Sequence, residues 1–275
     1  MTNIAHSEGA LKPGRYFHPA TNSLVCLRQR ADEAFWDATW ESQSQDDLYP
    51  TLPGCRHLFT DLTRKYLPAG GRLIEGGCGL AWLAWRLHLL GYHVDALDYA
   101  PRTVAFIKER VPEVNPVLGD VMALPFEEGS FDGYWSVGVI EHFYDGYQPV
   151  LAEAARVLKP GGFLFVTFPH MSRLRRFRGR KGAYPVWPEG AATDNFYQFM
   201  LDEYQVITDA DQFELVERRP FDGVGGLRVE LHGWKTREAK PAGPASLAQR
   251  LARQALGPLL NSAASPSVLL VLRRR

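Results

Sequence analysis

The sequence is poor in sulfur and carries no excess of either charge. Cysteine occurs only at Cys26, Cys55 and Cys78, never as a C-x-x-C pair. That excludes a disulfide framework and a cysteine-rich zinc site, and fits a reducing, cytoplasmic compartment. The 31 Lys and Arg are balanced by 31 Asp and Glu, which disfavours a dedicated nucleic-acid coat, since such proteins are basic. The most apolar segment, Leu80 to Leu90, is interrupted by Arg86 and His88 and falls short of the roughly 20 residues that cross a bilayer. Met1 to Glu8 shows no basic start leading into an apolar run, so no secretory signal is expected. What is present, 45% hydrophobic and 23% charged residues, excludes a fibrous or wholly disordered chain.

Up to about residue 50 the chain reads as polar and irregular, apart from Ala31 to Trp40, where Phe35, Trp36 and Trp40 recur at helical spacing and suggest a lid helix. A second helix is expected over Arg56 to Tyr66, closed by the breakers Pro68, Gly70 and Gly71. Short apolar runs then alternate with helical patterns. Strands are expected at Arg72–Glu75, Val94–Leu97, Val117–Leu118, Tyr134–Val137 and Phe163–Phe168, and helices at Leu80–Leu90, Pro101–Arg110 and Pro149–Val157. Such alternation requires crossover connections, hence a doubly wound α/β fold with a mostly parallel sheet. Past Phe168 come a basic stretch, Arg173 to Lys181, read as a solvated loop, then a helix near Asp202 to Asp211 and a strand at Phe213–Val216. A polar, Pro-containing segment, an amphipathic helix from Ser246 to Leu260 and a last strand at Val268–Leu272 complete the pattern.

The chemistry concentrates in Leu73-Ile74-Glu75-Gly76-Gly77-Cys78-Gly79-Leu80-Ala81, a strand that runs through glycines directly into a helix. Glycines there let backbone approach a ligand, and the helix start behind them offers free N–H donors. Open α/β sheets bind ligands at such switches. A dinucleotide fingerprint would need a small residue where Trp82 stands. Glu75 would also repel a pyrophosphate and suits a ligand bearing positive charge.

This passage resembles motif I, E-x-G-C-G-x-G, of the class I S-adenosylmethionine-dependent methyltransferases, in the small-molecule branch of methyltransferase type 11. Alanine at Ala81 replaces the last glycine. Asp98 at the end of the next strand, Gly119-Asp120-Val121 with Leu124-Pro125-Phe126, and Arg156-Val157-Leu158-Lys159-Pro160-Gly161-Gly162 are similar to the family's later segments. The resemblance covers about residues 70 to 170. It implies a Rossmann-like, seven-stranded sheet with N-terminal lid helices and insertions after the fifth and sixth strands. The expected organisation is one domain over 1–275, with lid helices in 1–68, the cofactor-binding core in 69–170, and substrate-side insertions with the final strands in 171–275. It further implies S-adenosylmethionine as cofactor, surrounded by Glu75, Gly77, Cys78, Gly79, Asp98, Tyr99, Asp120, Val121 and Val137. Asp98 would grip the ribose hydroxyls and Asp120 the adenine amino group.

The reaction so implied is in-line methyl transfer to a small molecule, with oxygen as the expected acceptor atom and positioning as the main contribution. A hydroxyl acceptor must lose a proton, and His142, beyond the fourth strand, and His170, ending the fifth, are the candidate bases. Each could equally be a packing residue. The metal-associated E-x-x-E-H of ubiquinone-pathway relatives is broken by Gly138, so a metal is not supported. An RNA or protein methyltransferase using residues 173–181, or a non-catalytic adenosyl-binding protein, are the alternatives. Leu247, Leu251, Leu256 and Leu259 are expected to pack on the core, with a membrane-facing or dimer stripe as the other reading.

Overall fold

The computed structural model describes residues 11–42, 58–232 and 247–275; Cys55 and Arg56 fall outside them, as do the side chains of residues 247–255. In chain order the elements are β1 (Gly14–His18), β2 (Ser23–Leu27), α1 (Glu33–Glu41), α2 (Leu58–Tyr66), β3 (Arg72–Gly76), α3 (Trp82–Leu89) and β4 (His93–Asp98). They continue with α4 (Pro101–Arg110), β5 (Pro116–Leu118), β6 (Phe131–Val137), α5 (Gln148–Val157), β7 (Leu158–Pro169) and α6 (Arg173–Arg180). Last come β8 (Phe196–Met200), α7 (Glu203–Asp209), β9 (Phe213–Phe221), α8 (Gly223–His232), α9 (Leu247–Ala264) and β10 (Ser267–Arg274).

Seven strands form one sheet in the order β5-β4-β3-β6-β7-β10-β9. The first five run parallel, and β10 lies antiparallel between β7 and β9. Central strands are buried on both faces: Leu73, Ile74, Ala96, Leu97, Tyr134, Trp135, Phe165 and Val166 are each fully enclosed, as continuous apolar runs in a covered parallel sheet must be. One core cluster fills the α5 side, with Phe131 and Val166, and another fills the α3 side, with Leu83 and Trp135 stacked on Phe165. Strand order reverses between β3 and β6, which places a crevice at their carboxyl ends.

The region before residue 50 is less irregular than its composition suggests. β1, β2 and β8 form a separate three-stranded antiparallel sheet, in which Leu24 faces Met200 and Cys26 faces Gln198. All five residues of β2 are buried; a strand enclosed on both faces shows no alternation, and its partner β8 is about 170 residues away, so nothing local announces the pairing.

Three further expectations need correction. The basic stretch is not a solvated loop but α6, capped by Ser172, whose Oγ accepts from Arg175 N at 3.3 Å. Arg175 is buried: its guanidinium meets Glu230 at 3.0 Å and the carbonyls of His170 and Pro266 at 2.8 and 2.9 Å. The segment before α9, read only as polar and Pro-containing, opens with α8, which supplies Glu230. Leu256 and Leu259 are exposed rather than packed on the core, at 52% and 69%. No helix among the described residues is long and apolar enough to cross a membrane.

Candidate functional site

A cleft of about 670 Å³ opens over the carboxyl ends of β3, β4 and β6. Its floor is the turn after β3. The amides of Gly77 and Cys78 both donate to Leu97 O, at 2.8 and 3.0 Å, folding the turn back on β4. Gly77 and Gly79 adopt φ of 70° and 51°, the left-handed region open to glycine at no cost. A Cβ on Gly79 would fall 2.7 Å from the Trp40 ring. Ala81 also has positive φ, 56°, so the alanine in the last motif position carries backbone strain as well as an extra methyl.

Two carboxyls stand in this floor. Asp98, 6% exposed, accepts from Gly79 N at 2.8 Å with one oxygen and from Ala100 N at 3.0 Å with the other. The Tyr99 amide is a third backbone donor to this carboxyl, which still leaves acceptor capacity for a ligand. Glu75 accepts from Ala84 N at 2.8 Å, and burial pushes its carboxyl up to about 8. Burial raises Asp98 as well. Arg30 lines the same cleft, but no cation offsets the desolvation of either acid, which suits a positively charged ligand better than a phosphate.

The expected cofactor residues Glu75, Gly77, Cys78, Gly79, Asp98, Tyr99, Asp120, Val121 and Val137 all line this cleft. Asp120 Oδ1 accepts from Met122 N at 2.8 Å, and the Tyr99 hydroxyl donates to Ala31 O at 3.3 Å. Burial pushes the Cys78 thiol well above its usual range, which makes it packing rather than a nucleophile. The roof is α1, with Trp36 stacked on Trp40 at 5.7 Å. Asp37, unnoticed in the sequence, fixes that roof. The α4 N-cap, Ala100, offers no side-chain acceptor, and Asp37 replaces it by accepting from Thr103 N and Thr103 Oγ1, both at 3.0 Å, and from Arg102 Nε at 3.1 Å.

Val137, Gly138, His142 and Trp36 also line a second cavity of about 890 Å³, which extends beneath the β1–β2 hairpin and β8. His142 stands at this junction. Its ring packs edge-on against Trp36 and Tyr197, at 5.0 and 5.3 Å, and Nδ1 lies 2.7 Å from Tyr197 O. A carbonyl only accepts, so Nδ1 carries the proton and Nε2 is left as an acceptor. Burial holds the ring neutral down to about pH 4.

His170 is not brought to either cavity. It is 1% exposed, its Nε2 is 2.7 Å from Ser265 Oγ and its Nδ1 is 3.8 Å from Glu203. Burial and the neighbouring arginines lower it to about 3, so its surroundings make it a buried brace between β7 and the start of β10. Glu141, beside His142, does line the second cavity. Its sequence signal is the Glu141-His142 pair that remains of the E-x-x-E-H pattern broken at Gly138.

The fold and the cleft define a doubly wound α/β protein with an acidic ligand site at its topological switch point. A methyltransferase domain family matches residues 74–166. Over 102 residues the chain is 37% identical to a protein of Mycolicibacterium smegmatis named as a probable S-adenosylmethionine-dependent methyltransferase, covering 37% of this chain and 39% of that one. Over 91 residues it is 34% identical to the malonyl-[acyl-carrier protein] O-methyltransferase of Erwinia pyrifoliae, covering 33% and 34%. The matches thus span little more than a third of these relatives' lengths. An S-adenosylmethionine-dependent methyltransferase structure from Mesorhizobium loti shares the fold, with a TM-score of 0.52 at 17% identity over 78% of this chain and 96% of that one. Residues 74–166 are thus similar in sequence to S-adenosylmethionine-dependent methyltransferases, and the chain shares its fold with one. The family's cofactor fits the cleft on the chain's own evidence: the left-handed turn at Gly77 and Gly79, the remaining acceptor capacity of Asp98 and the uncompensated acid Glu75.

Proposed function

We propose that the protein methylates a small molecule at oxygen, with the cofactor in the cleft and the acceptor in the second cavity. The observation that carries this reading is that the two spaces share the wall formed by Val137, Gly138 and His142. Bound there, S-adenosylmethionine supplies an electrophilic methyl group on a sulfonium. Asp98 would accept from the ribose hydroxyls, Asp120 would face the adenine, and Glu75 would offset the positive charge. Trp36 and Trp40 would close over the ligand and exclude water, and Asp37 would hold them there.

His142 Nε2 is the proposed proton acceptor. The acceptor oxygen forms its bond to the methyl carbon as the carbon–sulfur bond breaks, the sulfur keeps that electron pair as a neutral thioether, and the hydroxyl proton passes to Nε2. An imidazole buried this deeply is a modest base, so alignment provides most of the acceleration. The O-methyltransferase name of the Erwinia relative agrees with oxygen as the acceptor atom. The proposed organisation is one unit in which the N-terminal layer and the segment after residue 170 build the acceptor side; the buried, unpaired Cys26 and Cys78 suit a reducing compartment. The test is methyl transfer to a panel of alcohols, phenols and amines, read by mass spectrometry. The reading expects a methylated alcohol or phenol, and a loss of kcat of about 10²- to 10⁴-fold in His142→Gln with cofactor affinity retained. Methylation confined to amines would overturn the choice of oxygen.

The RNA alternative depends on free basic side chains in α6, and three of them are already engaged. Arg175 and Arg178 face Glu230, and Arg176 faces Asp202.

A further inference from the structure

The second cavity contains one group that neither its walls nor the transfer step explains. Glu141 follows β6 on the short turn Ile140–His142 and lies 3% exposed against the cavity. Its Oε2 has no hydrogen-bond partner. Its other oxygen, Oε1, sits over Gly138, 3.5 Å from where a Cβ on that glycine would stand. The carboxyl accepts from its own backbone amide, but a carboxyl oxygen removed from water without a partner is costly to the fold and is kept where a ligand supplies the partner. The remaining wall combines apolar residues, among them Val137, Phe168 and Phe221, with Arg15, Arg28, Thr167 and Gln198.

We infer that Glu141 is a specificity residue: its carboxyl receives a second hydrogen-bond donor, a hydroxyl or an ammonium, carried on an apolar acceptor beyond the group that is methylated. The inference rests on the reading of the second cavity as the acceptor site. The placement separates two tasks. His142 lines both spaces and stands where methyl transfer would occur, whereas Glu141 lines only the acceptor side, one step removed from the cofactor. Both offer acceptor atoms, so the complementary molecule presents two donors on a hydrophobic body. Burial supports this division by pushing Glu141 up to about 8 with no charged neighbour contributing: the ligand-free carboxyl is mostly neutral near pH 7, and a bound ammonium would ionise it at small cost.

The test uses the full chain saturated with S-adenosylhomocysteine, the variants Glu141→Leu and Glu141→Gln, and three probes with a phenol in common. They are 4-ethylphenol, with one donor, 4-(2-hydroxyethyl)phenol, with an added alcohol, and tyramine, with an added ammonium. Calorimetry on the wild type is expected to show at least one two-donor probe binding about tenfold more tightly than 4-ethylphenol, the effect of one further hydrogen bond. Glu141→Leu is expected to erase that advantage. Glu141→Gln retains an acceptor oxygen without a charge, so it keeps an advantage due to the alcohol and loses one due to the ammonium, which identifies the donor. Melting of the ligand-free variants supplies a second readout: removing a buried carboxyl with an unpartnered oxygen should raise the melting temperature in Glu141→Leu, whereas a structural role would lower it. Equal affinity of all three probes for the wild type, binding of none, an unchanged order in Glu141→Leu, or a lowered melting temperature would each overturn the inference. The initial titration with S-adenosylhomocysteine is separate: if it shows no binding, the reading of the cofactor cleft fails instead.

Discussion

The turn between β3 and α3 and the layer built from β1, β2 and β8 face the same ligand space but are held by different means. In the turn, polar groups are satisfied at short range: Glu75 meets the amide nine residues on, and Asp98 meets an amide nineteen residues back. In the layer the decisive contacts span most of the chain. Arg15 meets Glu230 at 2.6 Å across 215 residues, and Asn22 meets Asp202 at 2.5 Å across 180. The turn is built by backbone conformation, whereas the layer is built by buried charge. Chemistry common to a family can therefore sit in a locally encoded turn, while the part that selects an acceptor is assembled from distant residues.

The largest effect should come from breaking the layer. Glu230 has no exposed side-chain surface and is shared by Arg15, Arg175, Arg178 and the Tyr184 hydroxyl. Glu230→Ala leaves buried guanidinium groups uncompensated, at a cost of about 3–5 kcal/mol. Calorimetric melting should show a drop of roughly 6–15 °C. A loss under 1 kcal/mol would mean that the layer does not depend on this cluster.

Next is pH. Glu75 and Glu141 rise from 4.5 to about 8 in the fold, so between these values the folded state keeps protons that the unfolded chain has lost, and stability falls as pH rises. His142 falls from 6.5 to about 4; its contribution has the opposite sign and ends above 6.5, where both states are neutral. From pH 6.5 to 8 the glutamates act alone among these three groups. The melting temperature of ligand-free protein should decline across that window, with a shallower slope in Glu141→Gln. An unchanged slope would show that Glu141 does not titrate there.

Asp37 lies outside both regions and caps α4 from the roof helix. Asp37→Ala should cost about 1–2 kcal/mol in urea unfolding, the value of a lost helix cap, and should speed cofactor dissociation in stopped flow. The smallest effect belongs to the turn. Ala81→Gly relieves a left-handed alanine worth about 1–2 kcal/mol but adds unfolded-chain freedom, leaving a net gain of about 0.5–1 kcal/mol in the same unfolding assay.

The contrast also explains what the sequence could disclose. Periodicity located α4 to the residue, Pro101–Arg110, and the strands β3, β4, β6 and β7, because each carries its own apolar pattern and flanking breakers. Glu75, Asp98 and Asp120 were expected from the family resemblance of the segments that carry them, and all three line the cleft. β1, β2 and β8 were not, since their pairing is non-local. α6 was mistaken for a solvated loop because six basic residues hide the fact that Arg175 has a buried partner on α8. His170 looked equivalent to His142, both ending strands; only the packing of α7 and β10 around it separates the two.

The central claim is that the cleft over Gly77 and Gly79 binds an adenosyl cofactor through Asp98. Calorimetric titration with S-adenosylhomocysteine tests it most directly. One site should be found on the wild type, weakened about 100-fold in a folded Asp98→Ala, the loss of two hydrogen bonds to a charged group. Absence of binding to the wild type, or equal affinity in the variant, would contradict the account.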